Sequence, residues 1–319
     1  MGPILTITPN PTIDERWETE RLKPDGKNRV DPSKARAGGG GINVARDIVD
    51  LGHPARAVAT TGGSTGALLR ELLEKETSAN GSFDYELIDV TDETRRSLVL
   101  VETQSERSYH LVPAGPALST EECEQLVAAA THALAPGDLV VVSGSAPTGE
   151  GVGVHRQIAA EVAARDGRVV LDTSGDALVD ALRQGVFLVK LNRREAASLT
   201  GADVDDFDDA RTANEQLLNA GAVEIVITTL GDLGALCSVA DRHVEFHTPP
   251  LPGPVRSDAG AGDGLLAAVT LELSRGESII DACRLGVAVA AATVMTDDTS
   301  LGHQDDIRTL REQVEVCER

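Results

Sequence analysis

The sequence predicts an α/β protein whose mostly parallel central sheet is covered by helices on both faces. Short apolar runs alternate along the chain with segments of helical periodicity, which is the pattern of consecutive βαβ units. Two segments, 12–36 and 95–112, break that alternation. The first is polar and turn-rich, and the second has the alternating polarity of a hairpin. We expect one domain spanning residues 1–319, with these two segments forming a small β lid.

The predicted elements follow one another in regular order. Buried strands are expected at 4–8, 57–61, 139–143, 169–172, 187–191 and 225–229. Helices are expected between them, at 42–51, 67–73, 121–134, 154–164, 177–183 and 210–219. From Asp263 onward the chain is predicted to be almost entirely helical, and the lid hairpin pairs 95–102 with 107–112.

Composition excludes several classes of partner. The formal net charge is −22, from 29 Lys and Arg against 51 Asp and Glu. Nucleic acids and anionic membranes both need a basic surface, so neither is an expected partner. The acidic residues are spread along the chain and lysine is scarce, a balance that favours a halophilic protein, since concentrated salt shortens the Debye length to ~3 Å at 1 M. An ordinary acidic cytosolic protein is the alternative.

The cysteines and the apolar stretches point to the cytoplasm. Four cysteines show neither a C-x-x-C pair nor metal-ligand spacing, so reduced thiols are expected. The N-terminus lacks a basic signal-peptide region, and the longest apolar stretch is shorter than a membrane span.

The most informative motif is the run from Ser257 to Gly264, which leads directly into an Ala/Leu/Val helix. A glycine turn at the start of a helix directs several free N–H groups at one point, and the helix dipole adds positive character there. Such a turn is a seat for an anion. Because a carboxylate beside a phosphate is repelled by it, Asp263 indicates a general base that takes a proton from an attacking hydroxyl. An Asp that caps the helix it opens is an equal alternative.

Two other junctions could contact a ligand. Gly38 to Gly41 run into a helix that carries Asn43, and neither the phosphate-loop lysine pattern nor the dinucleotide glycine pattern is complete there. Close backbone approach to a ligand and a tight capped turn both fit. Asp14 follows the first predicted strand, where α/β sheets bind ligands. It could grip sugar hydroxyls or simply occupy a turn.

Two later junctions are also ambiguous. Asn192 and Glu195 share one face of a predicted helix start and could order Mg²⁺ through water, or they could form a capping box. The segment from Thr228 to Gly234 could hold nucleotide phosphate or ribose, or it could be a hairpin turn.

Together and in this order, the motifs resemble the ribokinase-like (PfkB-type) carbohydrate kinases, most closely their phosphofructokinase branch. The resemblance extends from Asp14 to Gly302. It depends on the G-A-G-D run ending at Asp263, the N-x-x-E run from Asn192, the four glycines before Asn43, and the segments Thr8–Pro11, 143–145, 172–175 and 189–190. It implies a ribokinase-like three-layer fold with a small β-sheet lid. The chain departs from the family pattern at Gly40, Leu191, Asp258 and Gly264.

The resemblance implies a role for each site residue. Asp263 would be the catalytic base, and Gly260, Ala261 and Gly262 would form the anion hole. Asn192 and Glu195 would order Mg²⁺. The ATP site would include Lys190, Asn192, Thr229, Gly231, Gly234 and Gly262. The sugar would contact Asp14, Gly39, Gly40, Asn43 and Ser143, and the phosphate it already carries would meet Lys27, Arg29 and Arg95.

The implied activity is ATP-dependent phosphorylation of a sugar phosphate, either fructose 6-phosphate or fructose 1-phosphate, to fructose 1,6-bisphosphate. Tagatose 6-phosphate is a further candidate substrate. A kinase for an unphosphorylated sugar or nucleoside, and a non-catalytic sugar or nucleotide sensor, are the alternatives. The implied cofactors are ATP and Mg²⁺, with K⁺ as a further candidate, and the expected partner is a second copy of the chain, joined through the lid.

Overall fold

A computed structural model describes residues 2–32, 35–80, 83–105, 107–297 and 299–318 of the 319-residue chain. Ser33 and Lys34 of the predicted lid segment, and Glu106 of the predicted lid hairpin, lie outside the described residues.

The strands and helices alternate along most of the chain. The strands are β1 (Ile4–Thr8), β2 (Thr12–Thr19), β3 (Asp31–Pro32), β4 (Arg36–Gly38), β5 (Ala55–Thr61), β6 (Phe83–Asp89), β7 (Arg95–Glu102), β8 (Arg107–Leu111), β9 (Ala117–Leu118), β10 (Leu139–Ser143), β11 (Thr148–Gly149), β12 (Arg168–Asp172), β13 (Val186–Asn192), β14 (Val223–Thr229), β15 (Gly234–Val239), β16 (Arg242–His247) and β17 (Glu315–Glu318). The helices are α1 (Gly40–Asp50), α2 (Gly63–Asn80), α3 (Thr120–Thr131), α4 (Val154–Ala163), α5 (Gly175–Gln184), α6 (Arg193–Thr200), α7 (Phe207–Asn219), α8 (Ala261–Ser274), α9 (Ile279–Thr293) and α10 (Gln304–Gln313).

The large sheet has the order β17-β16-β15-β14-β13-β12-β10-β1-β5-β6. Its strands are parallel from β6 to β14, and β15, β16 and β17 extend it antiparallel. Successive side chains on a strand point to opposite faces, so Val141 packs with α1 and α8 whereas Val140 packs with α3 and α4. Both faces are therefore buried under helices, as the apolar strand runs predicted.

The predicted strands and helices all form, some with longer bounds, while other elements were missed. Helix α2 extends well beyond the predicted 67–73, and β6 was not predicted. The helix start predicted at Asn192 is that of α6, and the predicted hairpin alternative corresponds to β14 and β15. The prediction of an almost entirely helical C-terminal part is wrong at its end. Residues 315–318 form β17 because they pair with the free edge of β16, for example Phe246 with Val316.

The small sheet is built from the two segments that interrupt the βα alternation. Strand β2 pairs in parallel with β7 along its whole length, from Thr12 opposite Arg95 to Thr19 opposite Glu102. Strand β8 pairs antiparallel with β7, while β3 and β4 pair with β2. Because β2 begins just after β1 ends, this sheet starts at the carboxyl edge of the large one. Its action as a lid and the single-domain organisation stay predictions.

The cysteines form no disulfide among the described residues, and the helices there do not meet the requirements of a membrane span. All four cysteines are free, and Cys123, Cys237 and Cys283 are buried. Among the described residues, none of the helices combines the length and the apolar character that crossing a membrane requires.

Candidate active site

The carboxyl ends of four parallel strands bring predicted site residues to one edge of the sheet. Ser143 at the end of β10 lies opposite Asp172 at the end of β12. Asn192 at the end of β13 lies opposite Thr229 at the end of β14. Open α/β sheets bind their ligands at this edge.

Helix α8 begins at this edge without a side-chain cap. Its N-cap is Gly260, which has φ of +81° and makes no capping hydrogen bond through a side chain. A methyl group placed on Gly260 would lie 2.9 Å from Thr299 Cα, so only glycine fits there. Ala261 N makes a long hydrogen bond to Asp258 O at 3.4 Å. The N–H groups of Gly262 and Asp263 have no backbone partner among the described residues and are left for a ligand, as an anion seat requires.

Asp263 lies in that first turn and is partly exposed. Its Oδ2 accepts a hydrogen bond from Asn43 Nδ2 at 2.9 Å. Burial raises the pKa of Asp263 to about 7, with a further increase from Asp172, while the Asn43 hydrogen bond and Lys190 oppose the rise. A carboxylate with this pKa can accept a proton near neutral pH and then release it. The capping alternative fails, because the cap position belongs to Gly260.

Lys190 lies beside the first turn of α8. Its Nζ is 3.0 Å from Asp172 Oδ1, and a methyl group placed on Gly262 would lie 3.0 Å from the same Nζ. Burial alone would lower the pKa of Lys190, but the carboxylates of Asp172 and Glu195 raise it. The ammonium therefore stays charged where an anion on α8 would meet it. Asp172 received no role from the sequence, although its place at a strand end could have indicated one.

The glycine run before α1 packs tightly against the strand ends. Gly39 has φ of +112° and makes no side-chain cap. A methyl group on Gly40 would lie 2.1 Å from Ser143 Oγ, and one on Gly41 would lie 2.5 Å from Ile7 O. The glycines therefore let α1 start close to β1 and β10, which places Asn43 within reach of Asp263.

Asp14 lies on β2 of the small sheet, facing the same cleft. Burial raises the pKa of Asp14 to about 6, against the opposing charges of Arg46, Arg95 and Arg36. A methyl group on Gly38 would lie 1.9 Å from Asp14 Oδ2, so the glycine makes room for the carboxylate. Asp14 also contributes to the raised pKa of Asp263, which places the two carboxyls in one electrostatic environment.

The Arg95 side chain donates hydrogen bonds to two main-chain carbonyls beside this cleft. It donates from Nη2 to Asn10 O at 3.1 Å and from Nη1 to Pro113 O at 3.2 Å. Lys27 and Arg29, the other predicted phosphate ligands, are exposed in the loop between β2 and β3. The structure does not bring these two side chains into the group around Asp263.

Asn192 and Glu195 form the capping box that the sequence left as an alternative. Asn192 Oδ1 accepts from Glu195 N at 2.9 Å, and Glu195 Oε2 accepts from Asn192 N at 2.8 Å. Burial raises the pKa of Glu195, which the hydrogen bond from the Asn192 main chain and the charge of Lys190 oppose. The described residues contain no group of three or more His, Cys, Asp or Glu able to hold a metal. The predicted magnesium role thus depends on water and on substrate oxygens.

The remaining predicted ATP residues lie around the turn between β14 and β15. These strands are antiparallel neighbours, so the hairpin alternative is correct as geometry. Thr229 Oγ1 donates to Leu191 O at 3.2 Å. Gly231 has φ of +61° and Gly234 has φ of +125°, and a methyl group on Gly234 would lie 1.9 Å from Phe246 O. Glycine at position 234 therefore allows the turn to pack closely against β16, at the edge of the sheet that carries Asn192.

His155 on α4 was missed in the sequence analysis, and it hydrogen-bonds to the main chain just after the end of β10. Burial lowers the pKa of His155 to about 4, so the ring is neutral and donates from Nε2 to Gly144 O at 3.0 Å. Thr173 Oγ1 donates to the same carbonyl at 2.9 Å. These bonds fix the carbonyl of Gly144, the residue after Ser143, and no motif in the sequence links His155 to that position.

Comparisons with known proteins agree with this geometry. A model of the pfkB family of carbohydrate kinases matches residues 11–305. The chain is 34% identical to ATP-dependent 6-phosphofructokinase isozyme 2 of Mycobacterium tuberculosis, over 95% of this chain and 87% of that protein. It is 33% identical to the isozyme 2 of Escherichia coli, over 96% and 97% of the two chains. It is 32% identical to 1-phosphofructokinase of Haloferax volcanii, over 98% of both.

Solved structures confirm the predicted fold class. Phosphofructokinase-2 from Escherichia coli in complex with potassium superposes with a TM-score of 0.89, and its complex with fructose-6-phosphate with 0.87, each 33% identical and covering 98% of this chain and 99% of that one. Ribokinase from Arabidopsis thaliana, 20% identical with 98% and 99% coverage, has a TM-score of 0.72 and shares the fold.

Proposed function

This chain belongs to the pfkB family of carbohydrate kinases, and we propose that it is an ATP-dependent phosphofructokinase. The reaction transfers the γ-phosphoryl group of ATP to a hydroxyl of fructose 6-phosphate or fructose 1-phosphate, giving fructose 1,6-bisphosphate and ADP. The observation that carries the proposal is the place of Asp263, partly exposed in the uncapped first turn of α8, next to Lys190.

In the proposed mechanism Asp263 is the general base. The sugar hydroxyl lies against its carboxylate, which takes the proton as the oxygen attacks the γ-phosphorus and the bond to the ADP oxygen breaks. The N–H groups of the turn at Gly260, Ala261 and Gly262, with the ammonium of Lys190, stabilise the charge on the transferring group. Asn43 holds the carboxylate in place by the hydrogen bond to Oδ2.

Magnesium is the proposed metal cofactor, held near Asn192 and Glu195. Each of these side chains uses one oxygen in the capping box, and among the described residues the Oε1 of Glu195 has no hydrogen-bond partner. That oxygen fits a water-mediated contact. Mg²⁺ would neutralise charge on the phosphate oxygens. Potassium is a further proposed cofactor, because the Escherichia coli phosphofructokinase-2 was solved with it, and we assign it no residues.

Recognition of the substrate phosphate is proposed for Lys27, Arg29 and Arg95. The two loop cations are exposed, so they are free of the packed core and available to an anion that enters under the small sheet. Lys27→Ala should raise the KM for the sugar phosphate and leave the KM for ATP unchanged. Lys23→Ala removes the same charge from the same loop and is the matched control. Equal KM values in the two variants would make Lys27 an ordinary surface lysine.

The small sheet is also the proposed dimer interface, acting as a lid on a single-domain subunit. Its edge strand β8 is exposed along its whole length, and Tyr109 and Leu111 on it are exposed apolar side chains. Sedimentation analysis should find a homodimer that Leu111→Asp converts to a monomer. A monomeric wild-type chain would contradict this assignment.

The experiment that tests the activity couples ADP release to a panel of acceptors: fructose 6-phosphate, fructose 1-phosphate, tagatose 6-phosphate, fructose, ribose and adenosine. A phosphofructokinase turns over a phosphorylated ketohexose with the highest kcat/KM, and Asp263→Asn is inactive on it. Preference for fructose, ribose or adenosine would replace the proposal with a kinase for unphosphorylated acceptors. Absence of ADP release with every acceptor would favour a sensor.

A further inference from the structure

Asp263 is linked to the far side of α1 by a chain of hydrogen bonds. Asn43 donates from Nδ2 to Asp263 Oδ2 at 2.9 Å, and its Oδ1 accepts from Arg46 Nη1 at 2.8 Å. Arg46 in turn donates from Nη2 to Glu76 Oε2 at 3.0 Å and from Nε to Glu76 Oε1. A further bond from Nη2 reaches Ala37 O at 2.8 Å. The series thus runs from α2 through α1 to the proposed base on α8.

This chain of bonds decides which end of the Asn43 amide faces the base. An arginine guanidinium can only donate hydrogen bonds, so the amide atom facing Arg46 must be the oxygen. The atom facing Asp263 is then the NH₂ group, which can donate only to an ionised or otherwise accepting carboxyl oxygen. If the amide turned over, its oxygen would face the carboxylate and repel it.

Arg46 itself is held in one orientation. Its side chain is 4% exposed and therefore out of reach of a substrate in the cleft. Burial alone would lower its pKa, but the hydrogen bond and charge of Glu76 keep it raised. The guanidinium is thus a fixed cation with Nε, Nη1 and Nη2 all engaged, and it has no freedom to release Asn43.

We propose that Arg46, braced by Glu76, is a positioning residue that keeps the Asn43 amide donating to Asp263 and so favours the carboxylate form of the base. This inference rests on the proposed function, in which Asp263 takes the substrate proton. Neither Arg46 nor Glu76 touches the reacting groups, and the hydrogen-bonded route from them to Asp263 runs through Asn43.

Other charges also act on Asp263 and must be kept constant. They come from every element packed around it: Asp172 on β12, Lys190 on β13, Asp14 on β2 and the buried Asp47 on α1. The Asp47 carboxyl lies behind the first turn of α8, since a methyl group on Gly264 would lie 3.6 Å from its Oδ2. The test therefore leaves these four residues in place. The Arg46 charge also lowers the pKa of Asp14 and of Asp47, so Arg46→Met acts on those carboxyls as well, and Glu76→Gln, which keeps the Arg46 charge, isolates the route through Asn43.

The experiment measures kcat/KM for the preferred acceptor of the native enzyme between about pH 6 and about pH 9.5, in wild type and Arg46→Met. If the Asn43 hydrogen bond to the Asp263 carboxylate is lost, the acidic limb of the pH profile, where activity falls as Asp263 is protonated, should move up by about one pH unit. Activity should then fall about tenfold below neutral pH and recover almost fully at the alkaline end. A loss of the same size at every pH would mean a structural role only, and an unchanged profile would mean that Arg46 does not act on the base.

A second variant and a control keep the result decisive if Arg46→Met does not fold. Glu76→Gln keeps the size of the side chain and removes the negative charge that holds Arg46. The acidic limb of the pH profile should therefore move in the same direction, but by less than in Arg46→Met. An acidic limb that does not move in Glu76→Gln overturns the proposal. Arg70→Met removes a surface arginine from α2, where it pairs with Asp89, and should leave the profile unchanged. Separately, a fully active Asp263→Asn would overturn the proposed base, whereas an inactive one with an unmoved limb in Arg46→Met would overturn this inference alone.

Discussion

Two helices begin at the same edge of the sheet, and they begin in opposite ways. Helix α6 starts at Asn192 with a complete capping box, in which side chains satisfy the first-turn N–H groups. Helix α8 starts at Gly260 with a left-handed backbone and no side-chain cap. Only glycine fits at the N-cap of α8, so no side chain caps this helix from that position, and the positive end of the helix dipole is left for a ligand.

The difference separates two kinds of motif that look alike in sequence. Both place an acidic residue in the first turn of a helix that begins at the ligand-binding edge of the sheet. At α6 the first-turn carboxylate, Glu195, accepts a hydrogen bond from the main-chain N–H of the cap residue Asn192. At α8 the acid, Asp263, turns away from its own helix and bonds to Asn43 of α1. A first-turn carboxylate that binds another element is the better candidate for chemistry.

The largest expected effect is the loss of turnover in Asp263→Asn. The amide cannot take the proton of the sugar hydroxyl, so kcat should fall by about 10²–10⁴-fold. ATP binding, measured by calorimetry or fluorescence, should be retained because the N–H groups of the turn remain. Near-normal turnover would make α8 a simple anion-binding helix.

Next in size is Gly260→Ala, which tests the anion seat itself. Alanine is strained at φ of +81° and would press on Thr299, displacing the first-turn donors. The loss of one such donor lowers kcat by about 10²–10³-fold. Gly201→Ala at the end of α6 is the matched control, because it has φ of +74° with open space around it. It should lower the melting temperature and leave kcat unchanged, and equal kcat losses in the two variants would contradict the comparison.

The third prediction concerns stability against pH. The pKa of Asp263 is raised from 3.8 to about 7, so the folded protein binds this proton more tightly than the unfolded chain does. The resulting stability is complete below the unfolded pKa and is lost as the pH rises through the folded one. Asp263→Asn should therefore melt at a higher temperature than wild type at about pH 8. A lower melting temperature than wild type there would show that the carboxylate stabilises the fold.

The smallest effect distinguishes a cap from a metal ligand at α6. Asn192→Ala should cost about 1 kcal/mol of unfolding free energy through the lost cap. Ser119→Ala removes the cap of a capping box on α3 and should cost about the same. If Asn192 also orders magnesium, only Asn192→Ala should raise the Mg²⁺ concentration needed for half-maximal rate. Identical magnesium dependence in both variants would reduce Asn192 to a cap.

Local patterns predicted the parts of this protein that local physics decides. Apolar runs marked the parallel strands because both faces of those strands are buried, and the run of small residues before the α8 helix marked the uncapped turn. The edge strands β6 and β17 were missed because their stability comes from pairing with a neighbouring strand, which no local pattern records. Glu76 was missed for the same reason, since it lies far along the chain from Asn43 and meets Arg46 only in the fold.

The amino-acid sequence by itself determined the layered α/β architecture and the residue types at the strand ends, because periodicity and glycine placement act over a few residues. Only the tertiary structure decided that Asn192 and Glu195 satisfy each other, that Asp263 turns to Asn43, and that the pKa of Asp263 is raised to about 7. The last two outcomes depend on burial and on side chains from β12, β13 and α1, which come near Asp263 only once the strands and helices have been assembled side by side.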